Sequence, residues 1–520
     1  MARVAASIIF GQCRKRAAQL SQQMSKPKGG YFLQAIWASL GQILQIAIAL
    51  GGMAILARML GPDGYGLFAV ALLCLGFADI LVGGHSGQGL VSMAELRSTH
   101  KNSLFWALVA LGIIIACGLW LSQDLIAAAL GIREAGPVIG YASILPIVTA
   151  MTTVPSQLLV RDVRFDALSQ ASVVGALLGT VAGVAAASFN LGAASLVLME
   201  SVRRITILVL NLRSAAWLPG LEFHRADAIH ILGLASRRIE NQAIQYVSTE
   251  AMPRTIIAMA AGPAALGIYV VSTGLLRQLD AALSGPISAI ALPAFAKARE
   301  SRKELARILL KAIRASTITF WPALLGLAVV APLAIPLVFG REMEPAVLIV
   351  QLLLIGSLRT PLSGFTNALL IALNRNNAMT ALQLLGAVIG LVALLVGMNW
   401  GLAGMALALS LRQWLVWPIA AKIIEREIGL SPGAQLQALF ASAAPAGVMA
   451  ILIACVRFFS PWGLTNFYEL AALVILGALS YAICLGLFFA KVRQSLRGGL
   501  RLLKLGKVGE AAKMVRSGIW

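Results

Sequence analysis

Long apolar blocks separated by short polar loops place the strongest constraint on this chain. Of its 520 residues, 59% are hydrophobic and only 12% are charged. About 20 consecutive apolar residues make one helical crossing of a bilayer core. Because that core offers no water to backbone amides and carbonyls, each block must satisfy them internally as a helix. We therefore predict an all-α, polytopic membrane protein.

Roughly fourteen blocks reach the length of one crossing, and the seventh is the least apolar. They lie at 32–57, 67–91, 104–121, 137–160, 168–189, 191–212, 231–252, 264–294, 308–330, 345–373, 378–398, 402–423, 436–456 and 466–490.

The basic residues predict the orientation of these spans. With a cytoplasmic N-terminus, 28 of the 42 Lys and Arg fall on the cytoplasmic side and nine fall within the membrane. Five fall on the outer side, namely Arg58, Arg133, Arg254, Arg341 and Arg457. Cytoplasmic loops of membrane proteins carry such an excess. The net charge of +21 therefore indicates topology and contact with anionic lipid, and not nucleic-acid binding. Both termini are predicted to be cytoplasmic.

An internal repeat divides the chain into two halves. Gly61-Pro62 recurs as Gly262-Pro263 at an offset of 201, and Asn190 recurs as Asn399 at an offset of 209. Gly175 and Gly179 recur as Gly386 and Gly390 at an offset of 211. An even number of helices in each half makes the repeats parallel, which suits a central cavity with alternating access.

The predicted organisation follows from this repeat and from the basic termini. It comprises a cytoplasmic basic tail (1–30), a six-helix lobe (31–213), a cytoplasmic linker (214–229), a second six-helix lobe (230–423), two extra helices (436–490) and a basic cytoplasmic tail (491–520).

Residues 57–68, ARMLGPDGYGLF, resemble the first inter-helix loop of bacterial polysaccharide transporter proteins. These are the O-antigen-type oligosaccharide flippases, whose superfamily also includes the multidrug (MATE) exporters and the lipid II flippase. The resemblance extends over the whole spanning region. It implies two lobes in a V around a cationic cavity, and a polyprenyl-diphosphate-linked oligosaccharide as substrate.

The resemblance predicts a flippase of the bacterial inner membrane, acting in polysaccharide biosynthesis with a lipid-linked anionic oligosaccharide as its partner. Polysaccharide polymerases and chain-length proteins are further candidate partners. An ion-coupled exporter of soluble molecules is the alternative, and a cationic drug would require an acidic cavity. The carried glycan and the coupling ion stay open.

Two common enzyme motifs are missing from the sequence. It contains no GxxxxGK[ST] phosphate loop and no HExxH, and its five cysteines are scattered without metal-ligand spacing. We therefore predict no catalytic residues, no metal and no cofactor. A membrane-embedded glycosyltransferase or polymerase would in addition need a large loop with catalytic acids, whereas the predicted outer loops are short.

Charges within the predicted spans are the candidate functional residues, because a charge inside the bilayer is costly and usually faces a cavity or a partner. Nine are basic and five are acidic, which leaves a surplus of four positive charges that an anion can neutralise. They are Arg203, Arg204, Arg237, Arg238, Arg277, Lys311, Arg314, Arg359 and Arg412, with Asp79, Glu200, Glu240, Glu250 and Asp280.

Equal depth predicts two ion pairs. Asp79 and Arg203 each lie 12 residues into a span that enters from outside, about 18 Å deep, and Asp280 and Arg412 repeat the arrangement. A structural pair in each half and an ion-coupling role for the aspartates both stay open. Arg277, three residues before Asp280, is an alternative partner for it.

The remaining basic residues form the candidate substrate-binding set. Arg238 and Asn241 share a polar face of the seventh span, whereas Arg237 can be neutralised by Glu240 at i+3. Arg359 lies near mid-depth with no carboxylate nearby in sequence. A guanidinium binds phosphate oxygens in a bidentate way, so Arg359 is the best candidate for a substrate phosphate; a structural arginine bonded to carbonyls is the alternative. The set is Arg237, Arg238, Asn241, Arg277 and Arg359.

Overall fold

The computed structural model describes residues 30–459, apart from 94, and residues 467–488. These residues form α-helices joined by short turns, with no strand among them. The prediction of an all-α fold is confirmed. The predicted basic tails lie outside the described residues, except for Gly30.

Seventeen α-helices account for nearly all of the described chain. They are α1 (Gly30–Val82), α2 (Gly84–Ser92), α3 (Ser98–Ala129), α4 (Gly136–Ala142), α5 (Leu145–Arg161), α6 (Phe165–Ser188), α7 (Ala194–Ala215), α8 (Arg225–Tyr246), α9 (Met252–Lys297), α10 (Arg302–Phe339), α11 (Ala346–Ser357), α12 (Thr360–Ala372), α13 (Asn376–Gly397), α14 (Gly401–Ile428), α15 (Pro432–Leu439), α16 (Ala443–Phe459) and α17 (Phe467–Phe488).

Two of the predicted loops are kinks inside continuous helices. Gly61 in α1 has φ 64° and ψ −176°, and Gly262 in α9 has φ 79° and ψ −176°. Glycine adopts this conformation without the steric cost that a side chain would add. The two Gly-Pro segments therefore share one backbone geometry, as expected of repeated elements.

Nine helical segments of the described chain are long and apolar enough to cross a membrane, and the bent pair α11–α12 is a further candidate. Three of the nine, Gly41–Ser92, Arg225–Ser284 and Asn377–Ile428, contain 52, 60 and 52 residues, more than twice the length of one crossing. The chain is thus a multi-pass membrane protein, and the count of fourteen stays a prediction.

The seventh span is longer than the sequence suggested. A π-helical turn, Val247–Ala251, joins α8 to α9, and the helix then runs to the kink at Gly262. Arg254, which we placed in an outer loop, therefore lies inside this helix and is only 4% exposed. The error arose because the charge at Arg254 looks like the end of an apolar block, whereas Glu250 four residues earlier neutralises it.

The two kinks touch each other at one end of the molecule, which the charge pattern predicts to be the outer end. A Cβ atom at Gly66 would lie 1.9 Å from the carbonyl oxygen of Pro263. Reciprocally, a Cβ at Gly267 would lie 1.9 Å from the carbonyl oxygen of Pro62. Only glycine permits this approach, so both halves contribute equivalent atoms to one contact.

The halves also meet in the middle and toward the opposite end. The hydroxyl of Tyr246 in α8 donates to the carbonyl of Leu73 in α1 at 2.9 Å. Further along, Gly89 of α2 packs against Ile231 of α8, with 2.5 Å between the position of a Cβ at Gly89 and the Ile231 carbonyl oxygen. The structure is thus closed between these helices along their length.

The segment between α7 and α8 packs against α3, and the last two helices pack against α10. Trp106 near the start of α3 donates to the Gly220 carbonyl at 2.8 Å, and the His224 amide donates to Ser103 Oγ at 2.8 Å. α16 and α17 pack against α10, where Tyr481 donates to the Ile318 carbonyl at 2.7 Å. The extra helices therefore extend the second half.

Candidate functional site

Two polar cavities lie inside the second half and meet at Arg412. The first, which we call the arginine cavity, has a volume of about 210 Å³ and lies between α8, α12, α13 and α14. The second, the mixed-charge cavity, has a volume of about 240 Å³ and is bordered by α9, α11 and α14. Thr249 and Gln413 also line both.

Arg359 lines the arginine cavity from the bend between α11 and α12. The two helices meet at 44°, so Arg359 is not inside a continuous span as predicted; Pro361 in the first turn of α12 favours the break. The residue is 6% exposed. Its Nη2 donates to Gln413 Oε1 at 3.0 Å, while its buried Nε has no partner. Among the described residues no carboxylate forms an ion pair with it.

Arg412 separates the two cavities and is 9% exposed. Its Nη1 donates to the carbonyl oxygen of Ser248 at 2.8 Å. Ser248 belongs to the π turn, and such turns leave the regular i to i+4 hydrogen-bond pattern. Gly390 makes room for the arginine, because a Cβ there would lie 2.7 Å from Arg412 Cδ.

The polar lining of the arginine cavity is uncharged apart from the two arginines. Besides Thr249 and Gln413, it comprises Gln245, Ser248, Ser363, Thr366, Asn367 and Gln383. The buried Oε1 of Gln383 also lacks a hydrogen-bond partner. The cavity therefore combines two guanidinium groups with neutral donors and acceptors, a composition suited to an oxyanion.

The predicted pair between Asp280 and Arg412 is wrong. Both residues line the mixed-charge cavity, yet within the described ranges they form no ion pair, and Asp280 accepts from Ser284 Oγ at 2.8 Å. Arg277 is not the partner either, since it pairs with Glu250 at 2.8 Å. Helical side chains lean toward the N-terminus, so Arg277 points away from Asp280 and toward the π turn.

The predicted pair between Asp79 and Arg203 is also wrong, although Asp79 does pair with α7. Its partner is Arg204, with Nη1–Oδ1 2.6 Å and Nη2–Oδ2 2.8 Å. Arg203 instead donates through Nε to Glu200 at 2.7 Å. Consecutive residues of a helix differ by about 100° in direction, and Arg203 faces Gly179 of α6. Depth along the helix could not distinguish the two arginines.

The rest of the predicted binding set lies along α8, outside the two cavities. Arg238 is exposed and donates to Gln88 of α2. Arg237 is exposed as well, and the structure, in the part it describes, shows no ion pair between it and Glu240. Asn241 accepts from Thr380 Oγ1 at 2.9 Å, which links α8 to α13.

This chain has polar cavities inside a multi-pass helical fold, an arrangement typical of membrane transporters. Its fold is similar to that of the lipid II flippase MurJ in an inward closed conformation, with a TM-score of 0.71 at 11% identity over 88% of this chain and 99% of that chain. It is also similar to an inward-facing multidrug resistance MATE family transporter of the MOP superfamily, with a TM-score of 0.52 at 14% identity over 75% and 94%.

The chain belongs to the polysaccharide biosynthesis protein family, whose model matches residues 55–348. It is 26% identical to the lipopolysaccharide biosynthesis protein WzxC of Escherichia coli (strain K12) over 63% of this chain and 67% of that protein. It is 23% identical to the succinoglycan biosynthesis transport protein ExoT of Rhizobium meliloti (strain 1021) over the same shares. The resemblance stated from the sequence is confirmed: this is a membrane transporter, not an enzyme.

Proposed function

We propose that the protein translocates a lipid-linked, anionic oligosaccharide across the bacterial cytoplasmic membrane for polysaccharide biosynthesis. Both termini are then cytoplasmic, and translocation proceeds by alternating access. The relatives in lipopolysaccharide and succinoglycan biosynthesis support this function. The observation that carries it is Arg359, a buried arginine without a carboxylate partner in the described chain, on the wall of a polar cavity.

The cost of burying Arg359 supports an anionic substrate. An unpaired arginine at mid-membrane is unfavourable by at least about 2.5 kcal/mol. Gln413 offers it one neutral acceptor, which leaves the charge uncompensated. A phosphate of the lipid carrier would supply both the opposite charge and the acceptor for Nε.

Arg238 and Arg359 act in sequence in the mechanism we propose. Arg238 lies in the middle part of α8, closer than Arg359 to the predicted inner leaflet, and receives the diphosphate first, together with Arg237 and Asn241. Arg359 receives it deeper, beside Arg277 in the neighbouring cavity. The glycan enters the polar lumen while the prenyl tail stays in lipid between the six-helix lobes 31–213 and 230–423.

Movement of the lobes must break different contacts on the two sides. Admission from the inside requires separation of Gly89 from Ile231, and of Arg238 from Gln88. Release to the outside requires separation of the kinks at Gly61 and Gly262. A polysaccharide polymerase and chain-length proteins would then act on the glycan at the outer face.

The lining of the arginine cavity disfavours the alternative of an exporter for cationic drugs. Two arginines and no carboxylate line it, so the field inside repels a cation. The likeness to MATE transporters concerns the fold only.

A transport assay tests the proposed function. In cells depleted of the protein, the lipid-linked glycan should accumulate on the cytoplasmic side of the membrane. Arg359→Ala should abolish transport at an unchanged protein level, and Arg359→Lys should restore it in part, because lysine keeps the charge but not the bidentate fork. Arg307→Ala, which removes an exposed arginine, is the control and should transport normally. Full transport by Arg359→Gln would refute the assignment.

A further inference from the structure

The two halves carry different charged side chains at equivalent positions. In the first half, Glu200, Arg203, Arg204 and Asp79 form a closed network of two carboxylates and two guanidinium groups. Glu200 is central, because it accepts from both arginines at 2.7 Å. This network has no net charge.

Within the described residues, the second half has no ion pair at its equivalent arginine. Left-handed Gly192 before α7 recurs as left-handed Gly401 at the start of α14, an offset of 209. At this offset Arg203 corresponds to Arg412, Glu200 to Leu409, and Arg204 to Gln413. The helix thus keeps one arginine, and its carboxylate partner at i−3 is replaced by leucine.

Gln413, which stands where Arg204 does in the first half, lines the arginine cavity, whereas Leu409, in place of Glu200, lines the mixed-charge cavity. Arg412 donates to the Ser248 carbonyl and forms no ion pair within the described residues, and Arg359 is added to the wall of the arginine cavity from the bend between α11 and α12. Arg359 is more than nine-tenths buried and its Nε is unpartnered. Two like charges held in one cavity repel each other, so a shared counter-ion stabilises both.

We propose that Arg359 and Arg412 form a two-arginine site for a phosphate or diphosphate group inside the second half. The volume of about 210 Å³ corresponds to roughly seven waters at their liquid volume, which suffices for such a group. Arg359 donates through Nε, and Arg412 donates through the nitrogens that Ser248 does not occupy. Gln383, whose Oε1 is free, accepts from a protonated phosphate oxygen.

The anion has two conceivable sources, and only its identification with the substrate rests on the proposed function. A diphosphate of the lipid carrier would reach the site during translocation, whereas free phosphate or diphosphate would enter from solution. The chemistry that the site recognises is the same in both cases.

Binding to the purified full-length chain in detergent tests the site. Inorganic diphosphate and farnesyl diphosphate are titrated separately by calorimetry, with sodium chloride at equal ionic strength as the blank. We expect saturable binding of at least one diphosphate probe. Arg412→Gln and Arg359→Gln should each weaken it by about tenfold to a hundredfold, as expected for the loss of charge-assisted hydrogen bonds. Arg307→Gln, an exposed arginine elsewhere, should bind as the unaltered protein does.

A second variant introduces a carboxylate at the position where the first half has Glu200. Leu409→Glu places an acid three residues before Arg412, as Glu200 stands before Arg203, and should abolish diphosphate binding. Leu409→Gln, of similar shape without the charge, should retain it. If Leu409→Glu does not fold, Arg412→Gln and Arg359→Gln still test the two-arginine site.

The outcomes separate this inference from the proposed function. Displacement of bound inorganic diphosphate by farnesyl diphosphate shows that the site accepts a prenyl-linked diphosphate, and binding of inorganic diphosphate that farnesyl diphosphate does not displace restricts the site to a free anion. Absence of saturable binding for both, or equal binding by Arg412→Gln, overturns the two-arginine site. Failure of the unaltered protein to translocate lipid-linked glycan would instead overturn the proposed function, and diphosphate binding would stand.

Discussion

Removal of Glu200 should destabilise the first half more than any other single change in its ion network. Glu200 is 10% exposed in its side chain and accepts from Arg203 and Arg204. Glu200→Gln would leave two guanidinium groups with Asp79 as their only carboxylate in the network. Breaking a buried pair from one side costs about 3–5 kcal/mol. Since the Arg203 side chain is 34% exposed, we expect a loss of about 3 kcal/mol.

Asp79 provides the matched comparison. It also binds Arg204 through two hydrogen bonds, but its side chain is 37% exposed, so solvent compensates part of the loss. Asp79→Asn should therefore cost less, about 1–2 kcal/mol. Denaturant unfolding in mild detergent, followed by tryptophan fluorescence, measures both free energies. A cost of Asp79→Asn equal to or above that of Glu200→Gln would refute the central position of Glu200.

Three further results follow from the packing. Gly66→Ala should prevent the closed contact with Pro263, because its Cβ would lie 1.9 Å from that carbonyl oxygen, and accessibility labelling should show the predicted outer end open. Gly267→Ala should open the same end from the other half, because its Cβ would lie 1.9 Å from the Pro62 carbonyl oxygen; an outer end that stays closed in both variants would show that this contact is not needed for closure. Gly390→Val should displace Arg412 from the arginine cavity and reduce transport at normal protein level, whereas Gly447→Val, with no atom near the added Cβ, should not.

Length and periodicity alone were enough to predict the helical fold, since a bilayer leaves the backbone few alternatives. The kinks at Gly61 and Gly262 could be predicted as repeated loops because the Gly-Pro pair recurs, and the positive φ at each kink favours glycine. Arg359 was identified from its isolation in the sequence. In each case a pattern within one segment of the sequence is enough to make the prediction.

The partners of the buried charges could not be predicted in this way. Depth along the helix is the same to within one residue for Arg203 and Arg204, yet only Arg204 faces Asp79. The π turn also escaped prediction, although it provides the carbonyl that holds Arg412 and the carboxylate that holds Arg277. The ion-pair partners and the contacts of the π turn both depend on how one helix is rotated against another, and a single sequence does not predict that rotation.

The divergence of the two halves is itself an argument about mechanism. If both halves held neutral networks, neither would attract an anion; if both held open arginine cavities, two equivalent sites would compete for it. One closed network and one open cavity give a single preferred position for negative charge, displaced from the contact between the lobes. The two-arginine site proposed above thus depends on two differences between the halves: Gln413 stands where Arg204 does in the first half, and Arg359 is added from the bend between α11 and α12.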